Sequence, residues 1–179
     1  MTSIHMRPTE VEDRLVPGHW EGDLIKGAGN RSSVGTLIER TSRVVMLAYM
    51  EDATAEGCLA AFTATLNRAP TSMRKTLTYD QGKEMARHQD LTIATGVNVY
   101  FADPHSPWQR GSNENTNGLL RQYLPKGEDL STYPQRELDV IARPHLEGVP
   151  AARHAPSLRK ITSEYGSRAR LTFDQVPLR

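Results

Sequence analysis

"HWEGDLIKGAGNRSSVGTLIERTSRVVMLAYM", residues 19–50, decides the fold. Its first seven residues alternate. His19, Glu21, Asp23 and Ile25 share one face, and Trp20, Gly22 and Leu24 the other, as on a β-strand. "KGAGNR" reads as a turn, "SVGTLIER" (33–40) as a second strand, "TSR" as a tight turn and "VVMLAYM" (44–50) as a third strand. Three strands joined by short turns predict an antiparallel meander.

Helical periodicity takes over downstream. "TAEGCLAAFTATLNRAP" (54–70) is a helix with Thr54 or Asp52 as its cap and Pro70 beyond its end. Ala55, Cys58, Leu59, Phe62 and Leu66 fall on one face. "KTLTYD" (75–80) is a fourth strand, "KEMARHQDLTIATG" a short helix closed by Gly96, and "VNVYFAD" (97–103) a fifth strand. A helix follows from about Ser112 to Leu124, stopped by Pro125, and another starts near Tyr133. The fold class is therefore α/β. A five-stranded mixed sheet, with a meander and then two helix-crossed strands, is flanked by helices. Residues 1–18 read as an extended lead-in, 19–142 as the core, and 143–179 as a divergent tail in which periodicity fades and Pro, Arg and His recur.

Composition narrows the class. A chain of 179 residues can bury one real core. The formal charge of +1 argues against a basic arm along the whole chain but permits a local basic groove. One cysteine, Cys58, cannot form an internal disulfide, so a reducing cytoplasm is expected. The N-terminus lacks the apolar segment of a signal peptide, and the longest apolar run, residues 44–50, is too short to span a bilayer. No membrane partner is expected.

Two features point to chemistry. The first is the helix after the stiff turn "YFADPHSPWQRGS". At about 100° per residue, Glu114, Asn117 and Arg121 gather on one side, while Leu119, Leu120, Tyr123 and Leu124 form an apolar stripe opposite. Taken alone, that polar face is an ordinary solvated one. The second is a set of three carboxylates: Asp23 ending the first strand, Asp80 ending the fourth, and Glu114 in the first turn of the helix. If the first and fourth strands are neighbours, the two aspartates meet. Converging carboxylates repel and need a cation. Mg²⁺ or Mn²⁺ suits oxygen ligands, and two such ions about 3.5–4 Å apart can clamp the attacking and leaving oxygens of a phosphoryl transfer.

"GHWEGDLI", "TLTYDQGKEMARH" and "YFADPHSPWQRGSNENTNGLLRQYLPKG" resemble the catalytic core of bacterial insertion-sequence transposases of insertion-sequence family thirty, in the DDE transposase and retroviral integrase superfamily. The resemblance covers roughly residues 4–142. It implies a ribonuclease-H-like fold and an acidic triad, Asp23, Asp80 and Glu114, binding two divalent metals, Mg²⁺ or Mn²⁺. It also implies cleavage and strand transfer of DNA at mobile-element ends without a covalent protein–DNA intermediate. DNA and a homo-oligomeric assembly are the implied partners, in a bacterial cytoplasm with action at the nucleoid. The family's N-terminal helix-turn-helix region has no counterpart here, so the chain is expected to open in the linker that follows it. "RPHLEGVPAARHAPSLRK" departs from the family pattern, which suggests a frameshifted or decayed copy. Reading the gene in its other frames tests that idea.

Further candidates surround the triad. Arg110, Asn113, Asn117, Arg121 and Lys126 are candidate DNA contacts, Arg110 foremost. His105, Trp108 and Gln109 are candidate supporting residues. His105 more readily holds the turn than touches phosphate, and Trp108 more readily packs the loop than stacks on a base. Glu21 reads as a solvated carboxylate, with a spare metal ligand as the alternative. Glu84 and His88 lack further partners for zinc, and "GAGNR" lacks the Lys-Ser/Thr of a P-loop. The rivals to a transposase catalytic domain are a truncated, inactive remnant that binds DNA or co-assembles with an intact relative, and a stand-alone nuclease of the same fold.

Overall fold

The computed structural model describes residues 1–146. Five strands, β1 (His19–Lys26), β2 (Ser33–Glu39), β3 (Val45–Tyr49), β4 (Thr76–Tyr79) and β5 (Asn98–Phe101), form one sheet in the order β3-β2-β1-β4-β5. The meander is antiparallel, and β4 and β5 run parallel to β1, as expected of a mixed sheet. Five helices accompany it: α1 (Glu10–Asp13), α2 (Ala55–Leu66), α3 (His88–Thr95), α4 (Gly111–Leu120) and α5 (Gln135–Leu146).

The alternation in β1 sorts its side chains between two cores. Trp20 and Leu24 join Leu37, Phe62, Leu66, Leu77 and Leu91 beneath α2 and α3. Ile25 joins Val34, Ile38, Leu47, Leu120 and Leu138 beneath α4 and α5. Helix α2 begins where Thr54 accepts the Gly57 amide at 3.1 Å, and Asp52 in turn accepts the Thr54 amide at 3.0 Å. Thr54 is therefore the cap, and Asp52 holds Thr54 in place. Gly96 closes α3 in the left-handed conformation (φ 78°), which a residue without Cβ adopts at little cost. The open edge of β3 is covered by Gln135 of α5, whose side chain accepts the Tyr49 amide at 2.9 Å and donates to the Leu47 carbonyl at 2.7 Å.

Three expectations change. The lead-in is part of the fold. Ser3 bridges Phe101 beyond the edge of β5, Val11 is buried, and Arg7 donates to Thr78 Oγ1 at 2.7 Å. Strand β1 does not end at Asp23 but continues to Lys26, because β2 pairs with it through Lys26↔Ser33. The tail expected from 143 begins inside α5, and residues 147–179 lie outside the described residues. Among the described residues no helix is long and apolar enough to cross a membrane.

Candidate active site

Strands β1 and β4 pair in parallel through His19↔Thr76, Trp20↔Leu77 and Glu21↔Thr78. Carried two residues further, that register sets Asp23 beside Asp80 where β4 ends. Gly22 makes the close approach possible. A Cβ there would meet the Tyr79 ring at 2.8 Å and Leu77 at 3.0 Å. Asp80 is fixed by accepting the Gly82 amide at 3.1 Å, and Asp23 by accepting the Leu24 amide at 2.9 Å.

Helix α4 lies along β1 in three rungs one helical turn apart. The Asn113 amide donates to Glu21 Oε2 at 3.1 Å, Asn117 Nδ2 to Asp23 Oδ2 at 2.9 Å, and Arg121 to the Lys26 carbonyl at 2.9 Å. These rungs turn the helix about its axis. Asn113 becomes buried and Leu119, assigned to the apolar stripe, is left 43% exposed. Asn113 is thus a link inside the fold and not a surface contact for DNA. Asn117 and Arg121 share a face, as the periodicity required, but that face leans on β1. Glu114, in the first turn of α4, stands exposed beside it.

The two aspartates hold a cation from the chain itself. Arg110 Nη2 donates to Asp80 Oδ2 at 3.3 Å, and its Nη1 lies 3.6 Å from Asp23 Oδ1 and 3.4 Å from the Gly22 carbonyl. The candidate DNA contact is therefore turned inward, with its side chain 16% exposed. Burial raises the Asp23 carboxyl above the usual carboxylate range, against the opposing pull of the Leu24 amide and Arg110. Lys126 is exposed after the helix.

The turn before α4 departs from expectation in two places. Gln109, not His105, closes it. Its Oε1 accepts the Asp103 amide at 2.8 Å and its Nε2 donates to Asp103 Oδ2 at 2.9 Å. His105 is exposed, with left-handed backbone (φ 58°). Trp108 does not pack the loop. It is 73% exposed and lines a groove of about 410 Å³ with Arg7, Arg14 and Arg40. Glu21 is also corrected. It is fully buried and ion-paired to Arg40 at 2.5 Å, so it is neither solvated nor a spare ligand. Nothing in its local sequence reveals this, because Arg40 reaches it only through the β1–β2 register.

The oxygen atoms gathered at this point suit a divalent metal. Asp23 and Asp80 already hold a positive group between them, and the buried Oδ1 of Asn117 beside them lacks a hydrogen-bond partner. All three are hard oxygen donors, which fits Mg²⁺ or Mn²⁺. Among the described residues, however, no three His, Cys, Asp or Glu side chains stand together, so Glu114 is not assembled with the pair.

A five-stranded mixed sheet in the order β3-β2-β1-β4-β5, flanked by helices, is consistent with a ribonuclease-H-like fold. The integrase core domain model matches residues 13–107. A chain in the cryo-electron-microscopy structure of a simian T-cell lymphotropic virus intasome bound to the PP2A regulatory subunit B56 gamma superposes with a TM-score of 0.58 at 17% identity. It covers 92% of this chain and 60% of that one. The transposase for insertion sequence element IS1086 of Cupriavidus metallidurans is 70% identical over 142 residues, 79% of this chain and 42% of that protein. The transposase InsI for element IS30A of Escherichia coli is 48% identical over 141 residues, 79% of this chain and 37% of that protein. The chain belongs to the integrase core domain family, within the insertion-sequence family-thirty branch of the DDE transposases. It spans less than half the length of these curated relatives.

Proposed function

We propose that the chain is the catalytic part of a transposase that cleaves DNA at the ends of a mobile element and joins the freed 3′ ends to target DNA, dependent on divalent metal. The observation that carries the reading is the Asp23–Asp80 pair, set side by side by the β1–β4 register and holding a cation between them. Asp23 and Asp80 would hold the metal, with Glu114 brought in from α4 to complete an acidic triad. Bound there, Mg²⁺ or Mn²⁺ would supply Lewis-acid polarisation of the scissile phosphate and lower the pKa of the attacking hydroxyl.

The chain's own residues do the positioning. Asn117 orients Asp23 through its 2.9 Å hydrogen bond. Arg121 and Lys126, towards and beyond the C-terminal end of α4, offer positive charge to the DNA backbone. Two nucleophilic side chains among the described residues are otherwise engaged. Cys58 lies in the core beneath α2, and the Ser112 hydroxyl accepts from Arg43 at 2.9 Å. Direct attack by water and then by a 3′ hydroxyl is the chemistry this arrangement favours. Two copies working on paired element ends would form the working assembly.

A strand-joining assay in Mn²⁺ tests the reading, comparing the chain with Asp80→Asn. Asparagine retains an Oδ1 to accept the Gly82 amide, so the turn survives while the charge is lost. Joining by the unaltered chain and none by the variant is the expected result. Joining that persists in the variant refutes the triad, and nicking without joining points to a stand-alone nuclease. DNA binding or inhibition of an intact relative, with no product, points to a remnant without chemistry.

A further inference from the structure

The cation between Asp23 and Asp80 differs from the other buried arginine pairing on β1. Arg40 meets Glu21 at 2.5 Å, with both groups buried. Arg110 reaches its carboxylates at 3.3 and 3.6 Å, longer than the roughly 2.7–2.9 Å of a well-made charge-assisted bond. Its Nε has no hydrogen-bond partner, although it is buried. The two carboxylates stay 31% and 41% exposed, so solvent and ions reach them past the guanidinium. Arg110 is also outside the helix it precedes. Its backbone (φ −129°, ψ 37°) is not α-helical, and it closes the short 3-10 turn Pro107–Arg110. The side chain can therefore leave the carboxylates without unwinding α4.

We propose that Arg110 is a positioning residue that stands in for the metal. It holds Asp23 and Asp80 side by side in the unloaded chain and is displaced when a divalent cation enters between them. Without such a counter-charge, two neighbouring carboxylates repel and splay, and with one fixed permanently no metal could bind. A loosely held guanidinium meets both conditions. Its departure would also free a positive charge to meet a DNA phosphate at the site. This inference rests on the metal-dependent reading above, and its test separates the two.

Mn²⁺ binding to the full chain is measured by calorimetry at low ionic strength, without DNA, for the unaltered protein and for Arg110→Gln, Arg110→Lys and Asp80→Asn. Removing a competing positive charge from the site should tighten Mn²⁺ binding about tenfold or more in Arg110→Gln. Arg110→Lys keeps the charge but loses the fork that spans two carboxylates, so its affinity should fall between the two. Asp80→Asn should lose the binding. Equal or weaker Mn²⁺ binding by Arg110→Gln, with Asp80→Asn still impaired, overturns the role of Arg110 and leaves the metal reading standing. Mn²⁺ binding unaffected by Asp80→Asn, or absent from every variant, overturns both. Arg110→Lys decides the matter if Arg110→Gln does not fold, because affinity equal to that of the unaltered chain contradicts displacement.

Discussion

Glu21 and Asp23 are two residues apart on one face of β1, and the fold treats them in opposite ways. Glu21 is fully buried, paired to Arg40 and to the Asn113 amide, with Arg40 also 3.5 Å from Glu12 of α1. Asp23 remains 31% exposed and accepts the Leu24 amide and Asn117 Nδ2, with the Arg110 guanidinium 3.6 Å away. Both carboxylates help fasten helix α4 to the sheet, but only Asp23 faces solvent and meets its guanidinium at longer range. The difference comes from the neighbours. At Glu21 the sheet is continuous on both sides, whereas beyond Gly22 the strand β4 ends and solvent enters. Two identical charges on one strand thus acquire structural and chemical roles from where the adjacent strand stops.

Glu21→Ala should break the comparison most severely. It strands the buried Arg40, whose guanidinium burial already disfavours its charged form, and removes the acceptor of the Asn113 amide in the first turn of α4. A loss of about 3–5 kcal/mol in urea-unfolding stability is expected, with most of it recovered when Arg40→Met accompanies Glu21→Met. Asp23→Asn, by contrast, should shift the same measurement by about 1 kcal/mol or less, because its ion pair is solvated and loose. Comparable losses in the two variants would show that the open end is as structural as the closed one.

Gly22, between them, marks the boundary. Gly22→Ala would drive a methyl group against Tyr79, whose ring is fully buried, and against Leu77. A destabilisation of about 1–3 kcal/mol is expected from such overpacking, read as a lower denaturation midpoint at unchanged slope. Retained stability would mean that β4 can move away from β1, and the Asp23–Asp80 spacing with it.

The closed end should also carry a pH signature. His19 is buried, with Nδ1 2.8 Å from Thr76 Oγ1, and its pKa is lowered, chiefly by burial, against the pull of Glu10. Its folded value lies below the ordinary value of about 6.5, so the unfolded chain takes up the proton first. Stability therefore falls as pH drops through that value towards the lower folded one. His19→Gln should flatten this decline, measured as the denaturation midpoint between pH 7 and 5. An unchanged slope would assign the acid sensitivity elsewhere.

Much of this arrangement was legible in residues 19–25. Period-two alternation fixed which side chains face α2 and which face α4, whereas the pairing of β1 with β4 entered the sequence reading only as a condition for Asp23 and Asp80 to meet. The hydroxyl of Thr54 and the glycine at 96 marked helix ends for local reasons. What escaped was set by pairing at a distance. Arg40 reaches Glu21 through strand register, and Arg110 reaches back to carboxylates on two strands. The error at Leu119 has the same origin. Apolar periodicity assigns a helix face as though only hydrophobic burial mattered, whereas the rungs to Glu21, Asp23 and Lys26 rotate α4 towards its amides. Trp108 was assigned to packing because tryptophan is usually buried, but Gln109 already closes the turn and leaves the indole outside.

Trp108 gives the smallest effect and sharpens the contrast through a residue type shared by both ends of the site. Trp20, at the closed end, is fully buried and donates its Nε1–H to the Met73 carbonyl at 2.6 Å. Trp108, two residues before Arg110, is 73% exposed. Trp108→Ala removes little buried area, so stability should change by no more than about 0.5 kcal/mol. The sequence has two tryptophans, so the variant leaves Trp20 alone to report on the core. Acrylamide should quench the unaltered chain in two components, one readily reached and one shielded, and only the shielded component should survive in Trp108→Ala. A larger stability loss, or a single shielded component in the unaltered chain, would place Trp108 against the loop after all and make the open end more rigid than its exposed carboxylates suggest.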